Sequence, residues 1–212
     1  MRQKTLNTRQ LLHGVSRSFG LSIRLLPQAL REPVGLAYLL ARATDTVADT
    51  TALPAARRLA LLDNLAHVIA APASQAQLSL VLRDFARHVP DQNEKNLLTN
   101  MQDCLNTLSL LPDSDQTVIR QVLEAIIDGQ RWDLQKLDDP ECGVQTRAEV
   151  DRYTWQVAGS VGEFWTRICQ LHLKHWHTSS HAELMQWGAH YGKGLQRLNI
   201  LRDAHRDLLT GR

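Results

Sequence analysis

The stretch YLLARATDTVADT, Tyr38 to Thr50, decides how the chain is read. Its first half is apolar, yet Asp45 and Asp49 follow four residues apart immediately after that run. On an α-helix, residues i and i+4 share a face and lie about 6 Å apart along the axis. Carboxylates with apolar neighbours are costly to desolvate unless something positive meets them. Arg42, three residues before Asp45, is one such cation. One DxxxD pair alone is a weak signal, since it is most simply a solvated helix face.

Working outward, the pattern recurs near the other end. NILRDAHRDLLTGR carries Asp203 and Asp207, again four apart, with Arg202 directly before Asp203. Carboxylates beside arginines suit a site that takes Mg²⁺ and a polyphosphate together. Mg²⁺ uses one or two carboxylates plus phosphate oxygens rather than a full protein cage. Arginine offers a planar fork to the remaining oxygens. Two such helices facing each other would cradle a diphosphate at the mouth of an apolar cavity.

Between these motifs almost every segment has helical period, and none reads as a strand with turn chemistry on both sides. Pro33 is expected early in a helix running toward Thr50, where its missing N–H costs little. Further helices are expected between Pro54 and Pro72, from Ser74 (in capping-box spacing with Gln77) to before Pro90, from Asp91 to before Pro112, and over 113–137. DDPECGVQT reads as a loop. Thr146 with Glu149 and Ser180 with Glu183 form capping boxes for two long final helices. Inside the first of these, Ala158, Gly159, Ser160 and Gly162 remove side-chain bulk over one turn. Each helical Gly costs about 1 kcal/mol against Ala, which points to close backbone approach by another helix or a ligand. The GKG at Gly192–Gly194 reads as loosening its helix. With no repeat, linker or low-complexity tract, residues 1–212 are expected to be one all-α domain of about eight helices.

Composition excludes several classes. The 212 residues are 43% hydrophobic and 22% charged with a net charge of +2, ordinary for a soluble globular protein. That charge is too small to imply nucleic acid or an anionic membrane as the main partner. Cys104, Cys142 and Cys169 lie far apart with no CxxC, and read as free thiols in a reducing compartment. The basic start leads into no signal-peptide run, and nothing approaches the roughly 20 apolar residues of a membrane span. A soluble, cytoplasmic protein is expected. His172, His175, His177 and His181 read as helix-end residues, and the tryptophans as core or interface.

The motifs together carry a resemblance. SRSFGLSIRLLP (Ser16 to Pro27), YLLARATDTVADT, YTWQVAGSVGEFW and LQRLNILRDAHRDLLTGR, in this order, resemble the squalene/phytoene synthase family of head-to-head prenyl transferases, bacterial squalene synthase-like members in particular. The resemblance covers nearly the whole chain. It implies a helical bundle of the isoprenoid synthase type around a central apolar cavity. It also implies Mg²⁺ ligands at Asp45, Asp49, Asp203 and Asp207, and diphosphate contacts from Arg17, Arg42, Arg202 and Arg212. Ser16, Phe19, Tyr38 and Tyr153 would line the substrate site, Tyr153 near the reacting carbons. Gln196 and Asn199 match polar family positions. Val157, Gly159, Val161 and Gly162 would form a smooth wall beside the prenyl chain.

The implied reaction joins two prenyl diphosphates, two farnesyl diphosphates giving presqualene diphosphate and squalene in the foremost reading. NADPH would serve a squalene-forming enzyme, and a phytoene or dehydrosqualene synthase is the alternative within the family. Peripheral membrane contact would accompany product release. Two departures stand out: Ala48 and Arg206 occupy positions where some members carry an acid, and members usually continue past the position of Arg212 through further helices. The second departure implies a fragment or a shortened homologue, and raises a different reading, an inactive relative acting as a lipid-binding or assembly protein.

Overall fold

Among the described residues, segments of helical period fold as helices. The computed structural model describes residues 8–16, 19–71, 75–137, 146–174 and 177–209. In chain order these form α1 (Thr8–Val15), α2 (Phe19–Leu25), α3 (Gln28–Asp49), α4 (Ala55–Ala70), α5 (Gln75–Ala86) and α6 (Gln92–Thr99). There follow α7 (Met101–Leu110), α8 (Asp113–Leu137), α9 (Arg147–Thr154), a π-helical turn (Trp155–Gly159), α10 (Ser160–His172) and α11 (His181–Leu209). The described residues contain no strand, and none of their helices is long and apolar enough to cross a membrane. The Ser74 cap, the DDPECGVQT loop, Cys142 and His175 lie outside the described residues.

The chain divides into two compact units, Met1–Leu123 and Glu124–Arg212, with the boundary inside α8. Unit 1 is organised by α3. Leu30, Val34, Leu36, Leu39, Leu40 and Val47 of α3 are buried, as are Leu61, Leu62 and Leu65 of α4 and Leu97 and Leu98 of α6. Fully burying one such side chain is worth about 1.5–3 kcal/mol. The helix starts earlier than expected: Pro33 is the sixth residue of α3, so its missing N–H removes an interior bond rather than one from the free first turn. At the other end the last carbonyls are satisfied by side chains. Arg58 Nη1 donates to the Ala48 carbonyl at 2.6 Å, and Thr50 Oγ1 donates to that of Thr46 at 2.6 Å. The turn bearing Asp45 and Asp49 is thereby pinned.

One expected helix is two. Asn100 interrupts the run after Asp91 because its side-chain Nδ2 donates to the Asn96 carbonyl at 2.7 Å, competing with the helical ladder. At the start of α6 the Asp91 carboxylate accepts from the backbone N–H groups of Asn93 (2.8 Å) and Glu94 (3.0 Å), a cap that fixes where Glu94 points from. Cys104 of α7 is free and fully buried, and burial pushes its thiol up to about 12; Cys169 is also free.

Unit 2 is built differently. Both expected caps form: Thr146 Oγ1 accepts from Glu149 N–H at 3.2 Å, and Ser180 Oγ accepts from Glu183 N–H at 3.3 Å. The first long helix contains a π turn, marked by the Ser160 N–H bonded to the Trp155 carbonyl five residues back. α10 and α11 meet through backbone. A Cβ at Gly162 would lie 1.8 Å from the Gly188 carbonyl oxygen, and one at Gly192 would lie 2.1 Å from that of Ala158. Gly192 therefore allows close packing and does not loosen the helix. Gly194 alone of the GKG meets nothing within 4 Å. Along α11, Trp187, Tyr191, Leu195, Leu198 and Leu201 are exposed, so Trp187 is not a core residue.

Candidate active site

In unit 1 the first acid motif lies on the buried helix α3, with Asp45 half-buried and Asp49 exposed. The residues expected around it come together. Phe19 of α2 and Tyr38 of α3 stack with ring centroids 4.9 Å apart and planes tilted by 32°. The Tyr38 hydroxyl donates to the Val15 carbonyl at 3.3 Å, and burial raises its pKa, with Arg42 opposing and Asp45 and Glu94 adding to the rise. Ser16 is buried and its hydroxyl donates to the Leu12 carbonyl. Gly20 lies close beside it: a Cβ there would fall 2.4 Å from Ser16 Oγ. Arg17 lies outside the described residues.

Arg42 has a partner that sequence reasoning missed. Its Nη2 donates to Glu94 Oε1 of α6, while its Nε is buried without a hydrogen-bond partner. Burial pulls the guanidinium pKa down, but the charge and hydrogen bond of Glu94, with the charge of Asp45, outweigh it and hold the group up. The two residues are 52 positions apart, so no local spacing announces the pair.

In unit 2 Tyr153 of α9 is half-buried against Trp132 of α8, centroids 5.4 Å apart, and Lys136 Nζ sits 5.6 Å from the centre of a Trp132 ring. Val157, in the π turn, packs on Gly129: a Cβ there would meet Val157 Cγ1 at 2.7 Å. The bulk missing at Gly159 and Gly162 is taken up by α11, whose Lys193 and Gly188 would meet an added Cβ. Close packing against α11 accounts for the small size of these two residues.

The second acid motif lies on α11. Arg202 grips Asp203 with two hydrogen bonds, Nε to Oδ1 at 2.9 Å and Nη2 to Oδ2 at 2.7 Å, and this pairing raises the Arg202 pKa. Asn199 Nδ2 donates to Gln196 Oε1 at 3.4 Å one turn earlier. A second unforeseen cluster joins α9 to α11. Asp151 accepts from Lys193 Nζ at 2.7 Å and from Arg197 Nη2 at 2.6 Å, and the Lys193 hydrogen bond is the main cause of its lowered pKa. The Asp207 side chain and Arg212 lie outside the described residues.

The donor chemistry suits a hard cation. Asp45 and Asp49 offer carboxylate oxygens one helical turn apart, and no group of three or more His, Cys, Asp or Glu among the described residues could hold a metal. Two carboxylates suit Mg²⁺, which completes its shell with water and phosphate oxygens.

Helical in all the regular structure of its described residues, with an acid pair and an arginine on each of two helices far apart in sequence, the chain has the all-α isoprenoid synthase fold. More narrowly, the chain belongs to the squalene/phytoene synthase family, whose model matches residues 12–212. It is 30% identical over 203 residues to the squalene synthase of Saccharomyces cerevisiae, covering 96% of this chain and 43% of that protein. It is 29% identical over 203 residues to the squalene synthase of Yarrowia lipolytica, covering 96% and 43% respectively. The structure superposes on a complex of TcSQS with a ligand at a TM-score of 0.73 and 26% identity, covering 96% of this chain and 54% of that one. The chain thus spans less than half the length of the curated relatives named here.

Proposed function

We propose that this chain carries the Mg²⁺-dependent head-to-head condensation of two prenyl diphosphates, most simply two farnesyl diphosphates giving presqualene diphosphate and then squalene. The observation that carries it is the α3 motif. Asp45 and Asp49 are one turn apart on a pinned helix, and Arg42 and Tyr38, the latter stacked on Phe19 of α2, lie on the preceding turns. This combination of acids, a cation and aromatic faces suits diphosphate departure.

Asp45 and Asp49, and by the same logic Asp203 and Asp207, would hold the divalent cation. A bound Mg²⁺ would neutralise the charge that gathers on the departing diphosphate. Arg42 and Arg202 would share that task, since donors aimed at developing charge are the largest kind of catalytic contribution. Arg17 and Arg212 are assigned the same role. The ring faces of Phe19, Tyr38 and Tyr153 would stabilise the allylic cation. Ser16 and Val157 would shape the lining, with Gln196 and Asn199 as polar contacts on α11. Water must be kept from the cation, or an alcohol results. In a squalene-forming enzyme NADPH would supply the hydride that quenches the cation left when presqualene diphosphate loses its diphosphate. The described residues offer no strand-to-helix turn for a dinucleotide, so NADPH would be held at a site of another kind.

Cytoplasmic location with membrane contact at product release belongs to the same reading, because the hydrocarbon product is insoluble in water. The test is incubation with farnesyl diphosphate, Mg²⁺ and NADPH, followed by mass spectrometry. Release of diphosphate with a C30 product is expected. No diphosphate release, from the chain in its full natural length, would defeat the reading.

A further inference from the structure

The helix α9 is two turns long and keeps a single residue buried, Thr154. Apolar packing therefore does little to fix how this short helix is rotated about its own axis, and polar ties take over. At 100° per residue, Asp151 and Tyr153 project about 200° apart, toward opposite sides of α9. Tyr153 meets Trp132 of α8, and Asp151 meets α11. Lys193 Nζ lies 2.7 Å from Asp151 Oδ2 and 2.6 Å from Oδ1, and Arg197 Nη2 donates to Oδ1 at 2.6 Å. The Lys193 side chain is only 15% exposed, so its tie is better shielded than an ordinary surface ion pair. Lys193 also spans the π turn. Its stem lies against Gly159, where an added Cβ would fall 3.1 Å from Lys193 Cγ, while its ammonium holds Asp151 on the far side of Trp155–Gly159. One side chain of α11 thus touches the chain both before and after that turn.

We propose that Asp151 is a positioning residue for Tyr153. Held from α11 by Lys193 and Arg197, it fixes the rotation of α9 and with it the direction of the Tyr153 ring. The inference rests on the reading of Tyr153 as lying beside the reacting carbons. A ring face stabilises a passing cation only when turned toward it. Reaction rates are sensitive to misplacements of about 1 Å, and a small rotation of a two-turn helix swings a long side chain that far.

Two measurements on the full chain test this. The sequence has three tyrosines, Tyr38, Tyr153 and Tyr191, so the ring signals of isotope-labelled tyrosine in magnetic resonance are few, and Tyr153→Phe assigns its own. Asp151→Asn is expected to shift the Tyr153 ring signal, which senses the neighbouring Trp132 ring, and to leave that of Tyr38 in place. With farnesyl diphosphate as substrate, the same variant is expected to lower kcat about tenfold with KM unchanged. Asp151→Glu, which keeps the charge, should recover most of that loss. In a Tyr153→Leu background Asp151→Asn should cost nothing further, because the residue it acts through is gone. A merely structural role would reduce the active fraction equally in both backgrounds. An unmoved Tyr153 signal, or equal losses with and without Tyr153, overturns the proposal. Should Asp151→Asn lose its helical circular dichroism, Lys193→Met together with Arg197→Met removes the same tie and carries the comparison. Native turnover by Tyr153→Leu alone would instead sink the role of Tyr153 itself, a failure seen without touching Asp151.

Discussion

Around Asp45, α3 buries Leu39, Leu40, Ala43 and Val47; around Asp203, α11 leaves Leu198, Ile200 and Leu201 exposed. The two units thus present similar acid–arginine chemistry on unlike foundations. Unit 1 holds its motif by apolar burial. Among its described residues unit 2 has fewer buried apolar side chains, among them Ile126, Ile127, Leu134, Phe164 and Ile168, alongside buried Gln130, Thr154, Gln156, Ser160 and Thr166. It is held where glycines let backbones touch and where Asp151 ties α9 to α11. The arginines differ in the same sense: Arg42 is paired across helices by Glu94, whereas Arg202 is paired by its own neighbour, Asp203. Cross-helix pairing makes a motif part of the packing, while pairing with the next residue leaves it local.

The comparison can be broken most severely at the acids themselves. If both units contribute metal ligands, Asp45→Asn and Asp203→Asn should each lower turnover by about 10³-fold with the circular dichroism spectrum unchanged. Normal rates in one variant would leave the chemistry to the other unit alone. Next in size is Leu40→Ala, which opens a void in the apolar core of unit 1. It should cost about 3 kcal/mol in urea denaturation. Gly162→Ala probes the other foundation. The added methyl meets a backbone carbonyl that cannot step aside, so a loss of about 2 kcal/mol is expected, with unit 2 as its seat. The same substitution at Gly194 should have the opposite sign: with open space there, removing a helical glycine should stabilise by about 0.5–1 kcal/mol.

The smallest effect concerns pH. Asp151 is held below its ordinary range, first by the Lys193 hydrogen bond. Its contribution is complete above the unfolded carboxylate pKa of about 3.9 and is lost as pH falls through the lower folded value. Denaturation midpoints compared near pH 6 and near pH 3 should therefore fall further in the native chain than in Asp151→Asn. Equal slopes would mean that the α9–α11 tie contributes nothing to stability.

Much of the helical framework was legible because periodicity and caps are local. The span of α8 and the capping boxes at Thr146 and Ser180 are read directly from neighbouring residues. The break at Asn100 was not, since an Asn inside an otherwise helical run is tolerated in many contexts and acts here through its own side chain. The π turn left no mark either, as no residue type demands one. The small-residue turn did announce close approach, but the sequence left open what approaches, and it is α11. For the site, the acids and Arg42 stood out by spacing and family resemblance. Glu94, Trp132 against Tyr153, and the Asp151 cluster did not, because their meanings arise only when distant segments fold together.

The π turn has one more consequence. An ordinary turn takes 3.6 residues, so a residue added or removed rotates everything beyond it by about 100°. Trp155–Gly159 therefore works as an angular joint between the Tyr153 end and the glycine-packed end of one continuous rod. Its residue count, more than its composition, sets which way each end faces. A one-codon deletion there could redirect the aromatic end while leaving every residue at both ends unaltered.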